Sequence, residues 1–387
     1  SNSMIKAGCL ELKVEKWMLT INFGRRHMKQ TKIGSKLIGH GQPIYFIADI
    51  AANHDGSLDR AINLIELAAK AGADAVKFQN FFADTIINPK AFENLNELKT
   101  HQSKWKKSVF EVYEDASLPI QWTETLMNAA KANNVYYMTT PYDISVINKC
   151  EKYVDAWKVG SGDIDWKDLH RVLSDSSKLI FLATGASTDN EVDRLINYYK
   201  DKGMSQRIIL MQCNTNYTGS LDNFNHINLN VLKTYSKLYP NLLLGLSDHT
   251  PGHATVLGAI ALGALTFEKH FTDDIQRAGP DHGFSMTPET WKEMVERSLE
   301  LFAGLGNGIK VIEENEKDSY IVQRRGLYFS RNLKKGTILQ KSDFQALRPR
   351  LEESLSPWLV EDLLGSRLVV DVKEKQPVVW DLVSIEK

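Results

Sequence analysis

The sequence is poor in cysteine and carries no excess charge of either sign. Its three cysteines, Cys9, Cys150 and Cys213, are too few and too scattered for a disulfide framework or a Cys-x-x-Cys metal site, which points to a reducing, cytoplasmic setting. Lys and Arg number 47 against 48 Asp and Glu, a formal net charge of -1. That balance leaves no electrostatic footprint for nucleic acid or an anionic membrane surface, so an anionic ligand must be held by a local cluster. No run of about 18 apolar residues is present, which excludes a membrane-spanning helix.

What is there is a chain of 387 residues, 43% of them hydrophobic, enough for one large domain with a small one or for two medium ones. Ser1-Asn2-Ser3 ahead of Met4 reads as an expression scar, and the basic stretch to residue 34 as a plain extension, since Glu11 and Glu15 argue against a transit peptide. From 43 to 304, short apolar runs alternate with amphipathic stretches of helical length, the rhythm of repeated βα units. Eight candidate strands fall at 44–49, 75–79, 135–140, 156–160, 179–184, 208–213, 242–247 and 265–269. Helices are expected at 58–71, with Ile62, Ile65 and Ala69 on one face, and at 191–202, with Val192, Leu195 and Ile196.

Eight such units in about 250 residues predict a TIM barrel. An open doubly wound sheet is the alternative, but no Gly-x-Gly-x-x-Gly follows the first strand. The second and third strands are separated by a long segment, 81–134, containing Lys99, Trp105, Lys106, Lys107 and Tyr113, the kind of insertion that walls an active site. Residues 305–324 read as a linker, and 325–387 as a small β domain in which Asn332 to Leu339 is faintly repeated by Asp371 to Val378.

Catalytic groups of a TIM barrel stand at the carboxyl ends of its strands. Here those ends read Asp49; Lys77 and Gln79; Thr140; Lys158 with Ser161 and Asp163; Thr184; Gln212; Ser247 with Asp248 and His249; and Glu268 with Lys269 and His270. Lys77 and Lys158, with hydroxyls from Thr140, Ser161, Thr184 and Ser247, suit a phosphate or carboxylate. Either histidine alone reads as a hydrogen-bonding core residue; His249 and His270 together, on neighbouring strands, suit one divalent metal with carboxylate and water completing the shell. Asp49 and Asp163 are candidates for proton transfer or water activation, or else paired ions beside the lysines.

Several blocks in order carry a family resemblance: Asn53-His54-Asp55-Gly56-Ser57, Val76-Lys77-Phe78-Gln79, Thr139-Thr140-Pro141, Lys158-Val159-Gly160-Ser161-Gly162-Asp163, Thr184-Gly185, Gly245-Leu246-Ser247-Asp248-His249-Thr250, Glu268-Lys269-His270-Phe271-Thr272-Asp273 and Gly279-Pro280-Asp281. Over about 35–387 the chain resembles the N-acetylneuraminate (sialic acid) synthase family, with an end domain similar to the SAF, antifreeze-like, domain. The resemblance implies a TIM barrel at 35–304 that condenses phosphoenolpyruvate with an N-acylamino sugar aldehyde, such as N-acetylmannosamine, to a nine-carbon 2-keto acid and phosphate. By position it implies that Lys77, Gln79, Thr140, Lys158, Ser161, Thr184 and Ser247 serve substrate binding, that Tyr217 lines the pocket and that Asp281 lies near the sugar. It further implies that His249 and His270 hold manganese, with magnesium or cobalt as alternatives, and that Arg348 reaches the partner's barrel in a domain-swapped homodimer.

The sequence departs from the family pattern at Asp49 and Asp163, where Glu is usual, at Gln212, often His, and at Arg350, usually Gly. A carboxylate shorter by one methylene is displaced enough to matter to catalysis. Two other readings are a Schiff-base pyruvate aldolase with Lys158 as the amine, which leaves the histidines idle, and a non-catalytic carbohydrate-binding protein.

Overall fold

The computed structural model describes residues 29–93, 102, 105 and 107–384. Cys9, Glu11, Glu15, most of the extension, and Lys99 and Lys106 of the insertion lie outside them. Two compact units divide after Asn307.

The first unit is a closed barrel of eight parallel strands. In chain order these are β3 (Tyr45–Asp49), β4 (Ala75–Asn80), β5 (Tyr136–Pro141), β6 (Ala156–Val159), β7 (Leu179–Ala183), β8 (Ile208–Cys213), β9 (Leu243–Asp248) and β10 (Thr266–His270), and they follow a hairpin of β1 (Gln30–Ile33) and β2 (Lys36–Gly39). The barrel strands are short apolar runs because both of their faces are covered. The ring shuts where β10 pairs with β3, which sets His270 opposite Asp49. Ile33 and Ile38 of the hairpin are part of the barrel core, while Lys36 pairs with Asp74 and Lys29 donates to the Leu242 carbonyl. Both partners precede strands, so the hairpin covers the end opposite the strand carboxyl termini. It starts ahead of the boundary expected at 35, because two short polar strands carry no apolar rhythm.

The helix Leu58–Lys70 starts where the Ser57 hydroxyl caps it and buries Ala61, Leu64, Ile65 and Ala68. Ile62 and Ala69, expected on its inner face, are only partly buried, so the apolar stripe is rotated by about one position. The helix Asp189–Asp201 buries Val192, Leu195 and Ile196 as expected, and Tyr199 besides. In the insertion, the helix Val109–Ala116 opens on a capping box in which Ser108 and Glu111 bond to each other's backbone. It presents Val112 and Tyr113, both partly buried.

The second unit carries the paired strands β11 (Gly326–Phe329) with β12 (Phe344–Leu347) and β13 (Arg367–Leu368) with β14 (Val383–Ser384). The segment expected as linker contributes the helix Lys317–Gln323 to it. The faint repeat is a structural dyad. Leu333 and Val372, equivalent in the two halves, exchange backbone bonds of 3.0 and 2.9 Å. Asn332 accepts from the amide of Glu374, and the equivalent Asp371 accepts from the amide of Lys335, both at 2.8 Å. Gly336 has φ +85°, and its equivalent, Lys375, has φ +60°.

Candidate active site

At the mouth of the barrel two buried lysines are each held by a carboxylate. Lys77 lies 2.7 Å from Asp49 and donates to Thr140 Oγ1 at 3.0 Å. Lys158 lies 3.0 Å from Glu268 Oε1, which also accepts from Ser247 at 3.1 Å. Burial opposes the charge on Lys77, but Asp49 and Glu268 outweigh it and raise its pKa. For Glu268 burial works the other way, and Lys158 and Lys77 overcome it to hold the carboxyl at about 2. Burial lifts Asp49 above the usual carboxylate range against the pull of Lys77. Gln79 donates to Asp49 at 3.2 Å, as does the amide of Ala51 at 3.1 Å. The second oxygen of Glu268 has no hydrogen-bond partner although it is buried.

Beyond β6, Ser161 accepts from the Gly185 amide at 2.9 Å, and the Cys213 thiol bonds to Ser161 and Ser247. A Cβ on Gly185 would stand 2.9 Å from Ser161 Oγ, so this approach requires glycine. Burial pushes the Cys213 thiol up, away from thiolate character. Asp163, in the turn after β6, is pushed up to about 6 by burial and by Asp165, and its Oδ2 is buried without a partner.

His249 and His270 face each other with ring centroids 5.4 Å apart. His249 Nδ1 donates to the Asn214 carbonyl at 2.9 Å, which fixes the tautomer and leaves Nε2 as an acceptor. His270 Nε2 is 3.4 Å from Asp49, its Nδ1 is 4.0 Å from Asp281, and Nδ1 is buried without a hydrogen bond. Burial, then the other histidine for His249 and Lys77 for His270, brings each ring to about 3, so both are neutral. A neutral imidazole with a bare nitrogen is one of the donors a divalent transition-metal ion accepts. Among the described residues no group of three or more His, Cys, Asp or Glu side chains is arranged to hold a metal ion, so the two rings alone do not make a complete protein ligand set. The Tyr217 ring is tilted against His249 with centroids 4.3 Å apart, and Phe284 lies 4.8 Å from His270. Asp281 accepts from the Ala52 amide at 3.2 Å and is pushed up to about 7 by burial and then by Asp49.

The loops after β3 and β10 are clasped together. Asp55 takes His282 Nε2 at 2.8 Å and Arg277 Nε at 2.9 Å, while Arg60 bridges Asp55 and Asp273. Asp281, next to His282 in the chain, is positioned by this clasp.

Residues 64–310 match the NeuB family. The chain belongs to that family. Residues 324–384 match the SAF domain. The chain is 31% identical to the N,N'-diacetyllegionaminic acid synthase of Campylobacter jejuni over 85% of its length and 97% of that protein's. It is 26% identical to the human N-acetylneuraminate-9-phosphate synthase, with 89% and 94% covered. Among solved structures it resembles the N-acetylneuraminic acid synthetase of Leptospira borgpetersenii in complex with citrate, with a TM-score of 0.65, 26% identity, and 76% and 96% covered.

Of the residues expected at this NeuB-family site, Asp49, Lys77, Gln79, Thr140, Lys158, Ser161, Ser247, His249 and His270 converge, with Tyr217 and Asp281 closing the side by the histidines. Thr184 stands apart: its hydroxyl donates to the Met211 carbonyl at 3.1 Å and accepts from Tyr235 at 3.0 Å. Gln212 donates to the Ile227 carbonyl at 3.0 Å. Asp248 and Lys269 form a separate buried ion pair with Thr250 and Thr255. Arg348 is exposed on the second unit. Glu268 was visible in sequence only as a strand-end carboxylate, and nothing local signals its pairing with Lys158, 110 residues away.

Proposed function

We propose that this protein condenses phosphoenolpyruvate with the open-chain aldehyde of an N-acylamino sugar, giving a 2-keto acid lengthened by three carbons and inorganic phosphate. The observation that carries this reading is the pair of buried lysines, with Thr140, Ser161 and Ser247 beside them, a few ångströms from two neutral histidines. The first group suits a small molecule bearing both phosphate and carboxylate, and the second suits a divalent cation, most readily manganese. Family membership and the printed activities of the relatives agree with it.

When bound, the cation would draw electron density from the aldehyde carbonyl. Lys77 and Lys158 hold the phosphate and carboxylate and so fix C3 of phosphoenolpyruvate toward the aldehyde carbon. As the C–C bond forms, the aldehyde oxygen gains charge, and Asp281, beside His270, is the group placed to pass it a proton. The positive charge left at C2 is met by Asp49 and Glu268. Water then adds at C2, giving its proton to Asp49 or Asp163, and the tetrahedral intermediate collapses with cleavage of the C–O bond to phosphate. The Lys158–Glu268 ion pair favours this over Schiff-base chemistry, since an ammonium held by a carboxylate donates hydrogen bonds and does not attack a carbonyl.

The test is phosphate release. With manganese and phosphoenolpyruvate, release is expected only on addition of an N-acylated hexosamine, and chelation abolishes it; silence across a panel of such sugars would overturn the assignment. A homodimer, with Arg348 completing the partner's site, belongs to the same proposal.

A further inference from the structure

Asp248 and Lys269 enter no step of the proposed reaction, yet among the described residues they are the most deeply buried ion pair, each side chain 1% exposed. They lie on the outer face of the barrel. In the β9–β10 register Ser247 stands opposite Glu268 and Asp248 opposite Lys269; Ser247 bonds to Glu268 inside the site, so the next pair along points the other way. The preceding residues on that outer face, Leu246 and Phe267, are buried and apolar. An ion pair in such a layer is a weak source of stability, because an apolar pair of similar volume often does as well. What it supplies is registry. A slip of β10 along β9 by two residues, the smallest that keeps both faces, would set Lys269 against Leu246 and strand both charges among apolar groups.

One residue beyond the pair on each strand come His249 and His270. Lys269 directly precedes His270. His249 is bracketed: Asp248 precedes it, and the Asp248 carboxylate accepts from the amide of Thr250 at 3.3 Å and from its hydroxyl at 2.8 Å, while Lys269 donates to the Thr250 carbonyl. Amide, hydroxyl and carbonyl of Thr250 are thus all bonded to the pair. The Thr255 hydroxyl, on the helix Ala254–Ala261, donates to the same carboxylate at 2.8 Å and ties the pair to the layer outside the barrel. We propose that Asp248 and Lys269 are positioning residues for the two-histidine cation site: the pair sets the β9–β10 register and the backbone on both sides of His249, and through these the spacing and mutual angle of the two rings. This rests on the reading of His249 and His270 as donors to a divalent cation, and not on the condensation. Two protein donors are fewer than a closed shell, so affinity depends on how well these two are aimed.

The test is manganese binding by the full chain, read from the electron paramagnetic resonance signal of the free hydrated ion during titration, with His270→Ala identifying the site that is counted. Asp248→Asn combined with Lys269→Met removes both charges and strands neither, so the double variant is expected to fold. It is expected to bind manganese about 10-fold to 100-fold more weakly, the loss that follows when a group orienting a metal ligand is removed. Val256→Ala opens a cavity in the same helix and leaves both charges and both threonine hydroxyls in place; it is expected to lower stability and keep the native affinity. Should the double variant not fold, Thr255→Val, which takes one hydroxyl from the carboxylate, decides in its place, with weaker binding expected. Native affinity in whichever of these variants folds overturns the proposal, as does equal weakening in Val256→Ala or a native protein that binds no manganese at the His270 site. Weakened binding in a protein that releases no phosphate with any acceptor sinks the condensation and leaves the positioning role standing.

Discussion

Asp163 stands alone among the candidate catalytic carboxylates in having an oxygen with no partner and no lysine against it. Its proton is held to about pH 6 by burial and by Asp165, where an unfolded aspartate lets go near 3.8. Between those values the folded protein binds the extra proton, so stability falls as pH rises from about 4 to 6 and is level above. The group is partly exposed and solvent screens it, which limits the effect to about 1–2 kcal/mol. Urea unfolding of the native protein and of Asp163→Asn across that window checks this; the same slope in both would remove Asp163 as its source. Residue types at strand ends were legible in sequence because a βα rhythm locates the ends. Which face each side chain takes was not. Asp248 and Lys269 each sit one position from groups that enter the site, and a one-residue step along a strand reverses the side chain's direction.

At the scale of elements, strand positions were recovered to within a residue or two because fully buried strands leave unbroken apolar runs. The hairpin β1–β2 was missed because its two short strands alternate too briefly to register. The Asn53 to Ser57 block, quoted above for the family resemblance, does two jobs: Ser57 caps a helix, and Asp55 ties the loop after β3 to the loop that carries Asp281. Asp55→Asn replaces charge-assisted bonds to Arg277 and buried His282, and is expected to cost about 1–3 kcal/mol in urea unfolding. It also frees Asp281, so KM for the acceptor should rise more than KM for phosphoenolpyruvate. A stability loss with both KM values unmoved would reduce the clasp to a structural tie.

For the whole molecule, the proposed exchange of Arg348 between subunits has a distinctive signature. Lys158→Met disables a barrel and Arg348→Ala disables an arm, so each variant alone is expected to be inactive. Mixed after reversible dissociation, they form hybrid dimers in which one site has an intact barrel and an intact arm, and activity should return to about a quarter of the native level. A mixture as dead as its components would place Arg348 in its own subunit's service or in none. The dyad of the end unit has a consequence of another kind. Each half hands a backbone carbonyl and a side-chain oxygen, a carboxamide in one half and a carboxylate in the other, to the amides of its counterpart, so neither half holds a complete set of bonds. The unit behaves as two interlocked hooks, gained or lost together, and Lys375, bent into a backbone shape its counterpart Gly336 adopts freely, is the tighter of the two bends.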